Sequence, residues 1–204
     1  IMKNITPNLW FDKNAKEAVN FYTSLFPRSK IENTSYYGKE GFEFHQMPEG
    51  TVLKIDFEIH GSKFAALNGG PMFKFNESIS FYVYCESEEE IKSIYEKLMD
   101  GGSANMPLNK YDWSEKYAWV KDKFGLSWQL DLNKTQLNQK IIPSLLFVND
   151  KFTKVQDAVT YYTNIFPESK LIFSSPHPGD EENLLFAQFS LNGNLFNAMS
   201  GAGE

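Results

Sequence analysis

Two periodicities alternate along the chain. Ala18, Phe21, Tyr22, Leu25 and Phe26 fall on one helical stripe; Asn14 with Glu17 three residues on predicts a capping box, and Pro27 a stop. Ile91, Ile94, Tyr95 and Leu98 repeat that stripe after Ser87 and Glu90, and Gly101-Gly102 ends it. A third helix is expected after Thr153 and Gln156, closed by Pro167. Between the helices the period drops to two. Residues 5–11, 52–60, 63–67, 79–83, 117–121 and 126–132 read as strands, with a hairpin turn at Gly61-Ser62 and another turn over residues 122–125.

The chain repeats itself. Residues 18–30 and 158–170 are identical at eight of thirteen positions, including Ala-Val at the start and Phe26-Pro27 against Phe166-Pro167. The likeness extends upstream, where Pro7, Leu9 and Phe11 parallel Pro143, Leu145 and Phe147. It extends downstream, where Phe57, Gly61, Phe64 and Ala66 parallel Phe189, Gly193, Phe196 and Ala198. Residues 78–132 have the same order of elements without the identities. Three strand–helix–strands modules follow, an α+β chain. Because one such module exposes a sheet face and an edge, modules are expected to pair. The expected division is residues 1–132 as a complete two-module domain and 133–140 as a polar linker. Residues 141–204 would be a half domain, completed by a further C-terminal segment or by another chain, as in a homodimer.

Composition narrows the function classes. The chain has 204 residues, 42% hydrophobic and 16% aromatic, so disorder is not the expectation. A net charge of −6 argues against general affinity for nucleic acid or anionic membrane. The longest apolar run, Phe81 to Cys85, is too short for a membrane-spanning helix, and no leader is visible, so the expected compartment is the cytoplasm. One cysteine, Cys85, forbids an internal disulfide and reads as a buried structural thiol.

The modules resemble those of the vicinal-oxygen-chelate superfamily, which includes glyoxalase I, extradiol dioxygenases and fosfomycin- and bleomycin-resistance proteins. The chain resembles most its PhnB-like branch, known by the label 3-demethylubiquinone-9 3-methyltransferase. The residues that carry this are Pro7 to Phe11, Glu17 to Tyr22, Leu67 to Gly70 with Phe73 to Ser80, and Phe124 to Leu130. The resemblance implies paired modules with a curved sheet cleft and helices outside. It also implies one divalent metal held by His and Glu from the first and last strands of each module, acting as a Lewis acid. Carried over residue by residue, those positions fall on Thr6, Ser78, Ala65 and Gln129. None suits Zn, Ni or Fe, so no metal and no cofactor are expected. A nucleotide-type methyl-donor site needs a glycine-rich strand-to-helix turn. Asn68-Gly69-Gly70 leads instead toward another strand, and Gly201 to Gly203 ends the chain.

By strand alternation the expected ligand cleft is Thr6, Asn8, Trp10, Ser78, Ser80, Tyr82, Ser127, Gln129 and Asp131. These are hydroxyls, amides and aromatics with no basic group, suited to a neutral polar or aromatic small molecule rather than an anion. Tyr111, Trp113 and Trp119 add aromatic surface near the last strands. Side-chain catalysis would use His45, Glu58 or Asp131 as the first bases to test. His60 and His177 read as turn and loop residues, and Glu88, Glu89 and Glu90 as a solvated helix start. The expected function is metal-independent binding of a small molecule. The alternative is a lyase, transferase or dioxygenase-type enzyme of the same superfamily.

Overall fold

The computed structural model describes residues 5–134 and 138–201 and divides into two compact units. Among the described residues no helix is long and apolar enough to cross a membrane.

The unit of residues 6–75 is the first module. It runs β1 (Asn8–Phe11), α1 (Ala15–Leu25), β2 (Lys30–Tyr36), a single-turn α2 (Phe42–His45), β3 (Val52–Ile59) and β4 (Ser62–Asn68). The sheet order is β1-β4-β3-β2, with β1 parallel to β4 and the other pairs antiparallel. Leu9, Phe11, Ile55, Phe57, Ile59, Phe64 and Ala66 are buried, as are Ala15, Ala18, Val19, Tyr22 and Leu25 of α1. Asn14 stands at the start of α1, but its side chain makes no capping bond. The Ala15 amide instead donates to Oδ1 of buried Asn68, 2.9 Å away at the end of β4.

The second unit holds modules two and three. Module two is β5 (Ile79–Cys85), α3 (Glu88–Met99), β6 (Ser103–Tyr111), β7 (Ser114–Lys121) and β8 (Ser127–Leu132). Module three is β9 (Ile141–Phe147), a 3-10 turn (Asn149–Lys154), α4 (Val155–Ile165), β10 (Lys170–His177), β11 (Asp180–Leu191) and β12 (Asn194–Ser200). Together they form one eight-stranded sheet, β10-β11-β12-β9-β5-β8-β7-β6.

The seam is antiparallel: Ser80 lies opposite Ser144 and Tyr82 opposite Ile142. This strand pairing departs from the expected division, in which module two would complete module one and module three would stand open. The physical reason lies in β5. From Ser80 to Cys85 every residue is buried, so both its faces are covered and it sits inside a sheet. β9 supplies the neighbour, with Ile141, Ile142 and Ser144 buried as well. The expected linker is anchored where it is described. Lys140 is buried, and its ammonium lies 2.6 Å from Glu90 at the start of α3. Residues 135–137 of that linker lie outside the described residues.

Local devices repeat between modules. The β3–β4 turn is His60-Gly61, one residue earlier than expected, and the β11–β12 turn is Asn192-Gly193. All four residues have positive φ, as a two-residue turn with matched twist requires. In both modules a serine just past the helix, Ser29 or Ser169, accepts the amide of the first turn residue at 3.2 Å. At Ser87 the serine half of the box forms, the Glu90 amide donating to Ser87 Oγ at 3.1 Å, while the Glu90 carboxylate accepts the amide of Glu86 at 2.8 Å. The box expected at Thr153 does not form, because Thr153 belongs to the 3-10 turn and α4 begins after Lys154.

Candidate functional site

The eight-stranded sheet has two unlike faces. Under α3 and α4 lie Phe81, Val83, Cys85, Trp128, Leu130, Ala187, Phe189 and Ala198, all buried. The opposite face mixes polar and aromatic groups, and the strand register arranges it in rows. Tyr84, Asp131 and Tyr117 stand side by side on β5, β8 and β7; Tyr82, Gln129 and Trp119 form the next row. Across the seam the row of Ser80 continues through Ser144, Asn197 and Gln188.

These side chains are bound to one another. Gln129, buried, accepts from the Tyr117 hydroxyl at 2.5 Å and donates to Ser80 Oγ at 2.8 Å and to Met199 Sδ at 3.3 Å. The Trp119 indole donates to Ser127 Oγ at 2.7 Å. Gln188 donates to Asn197 Oδ1 at 3.0 Å. The Nδ2 of fully buried Asn197 has no hydrogen-bond partner. Tyr82, Tyr84, Tyr117, Ile142 and Met199 form a buried cluster that Met106, Tyr111, Trp119, Leu146, Phe186 and Leu195 pack against.

Asp131 is the one acid in the Tyr84–Asp131–Tyr117 row. Ser114 donates to its Oδ1 at 2.5 Å, and Tyr82 is a second hydrogen-bonding neighbour. Burial raises its carboxyl above the usual carboxylate range, although both hydroxyls work the other way. Burial, then the Asp131 charge, pushes the Tyr84 phenol up to about 12 and raises Tyr82 and Tyr117 as well. The three phenols are therefore neutral hydrogen-bond donors at neutral pH.

Of the residues expected in the cleft, Ser80, Tyr82, Ser127, Gln129 and Asp131 share this face. Ser78 precedes β5 and is exposed; its amide donates to Asn76 Oδ1. Thr6, Asn8 and Trp10 belong to the other unit, where the Trp10 indole donates to the Gly70 carbonyl at 2.8 Å. The partners that the sequence reading did not place on the face are Ser144, Gln188, Asn197 and Met199. All come from module three and would have followed from reading β9 as the neighbour of β5.

Two candidate bases sit in structural roles. His45 accepts the Met47 amide at Nδ1, 2.9 Å away, and its Nε2 lies 3.1 Å from the Glu40 carbonyl, so both ring nitrogens hold a turn. Glu58 lies 3.8 Å from Lys63, which binds Glu32 at 2.7 Å in an ion-pair group on the first module's sheet. His177, expected in a loop, ends β10, with Nε2 2.5 Å from Ser200 Oγ. Cys85 is fully buried and its thiol is raised by burial, as befits an inert structural thiol.

Metal chemistry is tested by the donor set. Among the described residues no three of His, Cys, Asp and Glu come together. On the first and last strands of the paired modules the shared face carries Ser80, Tyr82, Gln129, Asp131, Ser144, Asn197 and Met199. One carboxylate among hydroxyls, amides and a thioether does not fit Zn, Ni or Fe.

Paired strand–helix–strands modules with a continuous open sheet define the glyoxalase class of fold. The chain aligns over 98% of its length with a glyoxalase I variant from Zea mays, covering 69% of that chain at a TM-score of 0.64 and 10% identity, a likeness of fold. The model of the family described as 3-demethylubiquinone-9 3-methyltransferase matches residues 3–131 and 139–204, and the chain belongs to that family. A Bacillus cereus protein described as a putative 3-demethylubiquinone-9 3-methyltransferase, PhnB protein, is 41% identical. The match covers 64% of this chain and all of that one at a TM-score of 0.59. A structure from Pseudomonas aeruginosa matches 65% of this chain and 98% of its own at 20% identity and a TM-score of 0.50. No curated protein sequence matches the chain.

Proposed function

We propose that the protein binds a small organic molecule on the polar–aromatic face of modules two and three, without a metal. The observation that carries this reading is the composition of the face. On the first and last strands of the paired modules this face carries Ser80, Gln129, Ser144 and Asn197, hydroxyls and amides rather than the His and Glu ligands that the resemblance implies. The unpartnered Asn197 amide and the aromatic rows suit a ligand of mixed polarity. The test is ligand-induced thermal stabilisation over a library of neutral and charged aromatics, with metal content measured on protein purified without chelator. Saturable stabilisation of metal-free protein supports the reading; a stoichiometric transition metal, with binding lost on its removal, overturns it.

A second reading is favoured by Asp131 alone. Its raised carboxyl beside the Ser114 hydroxyl is the one group on this face suited to general acid–base work, which would make the protein an enzyme of the same superfamily. Turnover that disappears in Asp131→Asn would select it. Methyl transfer draws no support from the glycines. A Cβ at Gly69 would lie 2.3 Å from the Trp10 ring, so that glycine serves packing.

The homodimer belongs to the same proposal, with its seam moved. Module three is paired within the chain, whereas β1 is the edge of its own four-stranded sheet. A cytoplasmic location is likewise proposed, supported by the single buried cysteine.

A further inference from the structure

One corner of the face has a charge without a counter-charge. Asp131 is mostly buried, and among the described residues no Lys, Arg or His forms an ion pair with it; its partners are hydroxyls. The sheet register places Tyr84 and Tyr117 on either side of it. Tyr82 lies 5.0 Å from Tyr84 and 6.2 Å from Tyr117 between ring centroids. At the β6–β7 turn Tyr111 stacks on Trp113 at 5.2 Å, and both meet Tyr117 edge-on, at 5.7 and 5.6 Å. Trp113 is 61% exposed, so its ring can be reached from solvent beside the buried Tyr117.

A carboxylate largely withdrawn from water, with phenols beside it and no cation paired to it among the described residues, is half of an ion pair. Its burial is costly until a cation arrives. Aromatic rings attract cations through their electron-rich faces and can do so while shedding little water. We propose that Asp131, flanked in the sheet by Tyr84 and Tyr117 and hydrogen-bonded by Tyr82, receives the alkylammonium or quaternary ammonium group of the ligand, whose body would lie toward the exposed Trp113 ring. This rests on the binding function proposed above and names its ligand class, an organic cation with an apolar or aromatic body. A hydrated metal ion is a poor match, because the site offers one carboxylate and ring faces rather than a shell of oxygens.

The experiment compares choline with 3,3-dimethylbutan-1-ol, which has the same shape without the charge, by calorimetric titration of the full chain. A panel of neutral aromatics is run beside them. Choline is expected to bind about 10-fold or more tightly than its isostere, and Asp131→Asn to abolish that preference. Asn keeps an acceptor for Ser114, and a thermal melt confirms that the variant is folded. Trp113→Ala, at an exposed position, is expected to weaken choline several-fold while leaving the melt in place. Equal binding of choline and isostere, or a preference that survives in Asp131→Asn, overturns the cation site. If neutral aromatics still bind in that case, the small-molecule reading stands. If no probe binds, both fall.

Discussion

Asp122 shows how much one side chain can hold. Its Oδ1 accepts the amides of Phe124 and Leu126 at 2.8 and 3.0 Å, and its Oδ2 accepts the indole of fully buried Trp128 at 2.9 Å. The sequence shows the turn, yet not that its first residue is the partner of a tryptophan six residues on. Asp122→Ala orphans two buried donors and a part-buried one, and is expected to cost about 3 kcal/mol in denaturant unfolding; Asp122→Asn should cost less. Asp131 behaves oppositely. Its folded pKa is raised, so the folded state holds the proton more tightly than the unfolded one. Stability from this group is present at acid pH and is lost as pH rises through the folded value. The groups facing it are Tyr82 and Tyr84 on β5 and Tyr117 on β7, all neutral in that range. Asp131→Asn is therefore expected to stabilise the ligand-free protein at neutral pH, the gain fading on acidification. A series of unfolding curves across pH would read it, and a uniform loss would contradict it.

Helices and turns were legible because their signals are local. Local spacing with proline or glycine stops located α1, α3 and α4, but caps were only partly readable. Ser87→Ala is expected to cost about 1 kcal/mol, since Ser87 caps α3. Thr153→Ala should leave stability within about 0.5 kcal/mol, since Thr153 caps nothing; equal costs for the two would refute the assignment. The hairpins offer a comparison within the chain. His60→Asn copies the Asn192-Gly193 turn onto His60-Gly61, where asparagine tolerates positive φ better. A melting temperature unchanged or raised is expected, and a fall would show that the contacts of the His60 ring matter more. β6 escaped sequence reading for a physical reason. Ala104, Met106 and Leu108 do alternate with exposed neighbours, but Pro107 interrupts the run, none of its residues is fully buried, and its pairing with β7 is broken by register shifts.

At the scale of the molecule, the number and kind of modules followed from the repeat, whereas their partners did not. First strands of all three modules are apolar, so pattern alone cannot say which edge meets which. The choice is written in long-range complementarity: Ser80 against Ser144, Lys140 against Glu90, Gln129 against Met199. With its own clusters around Val159, Phe189 and Ala198 and around Tyr82 and Tyr117, the unit beginning at Asn76 should fold alone. A chain of residues 76–204 is expected to unfold in one cooperative step; a broad, probe-dependent transition would count against this. The β5–β9 seam has a wider consequence. The Bacillus cereus relative has the length of two modules, and here the first module's sequence returns in the third. A duplication copying modules as consecutive pairs would cut this chain between β8 and β9, through the continuous sheet. In a chain built that way, heredity and folding would count the same repeats out of phase. A substitution in one module of the seam is then felt by the other, because β5 and β9 share one sheet.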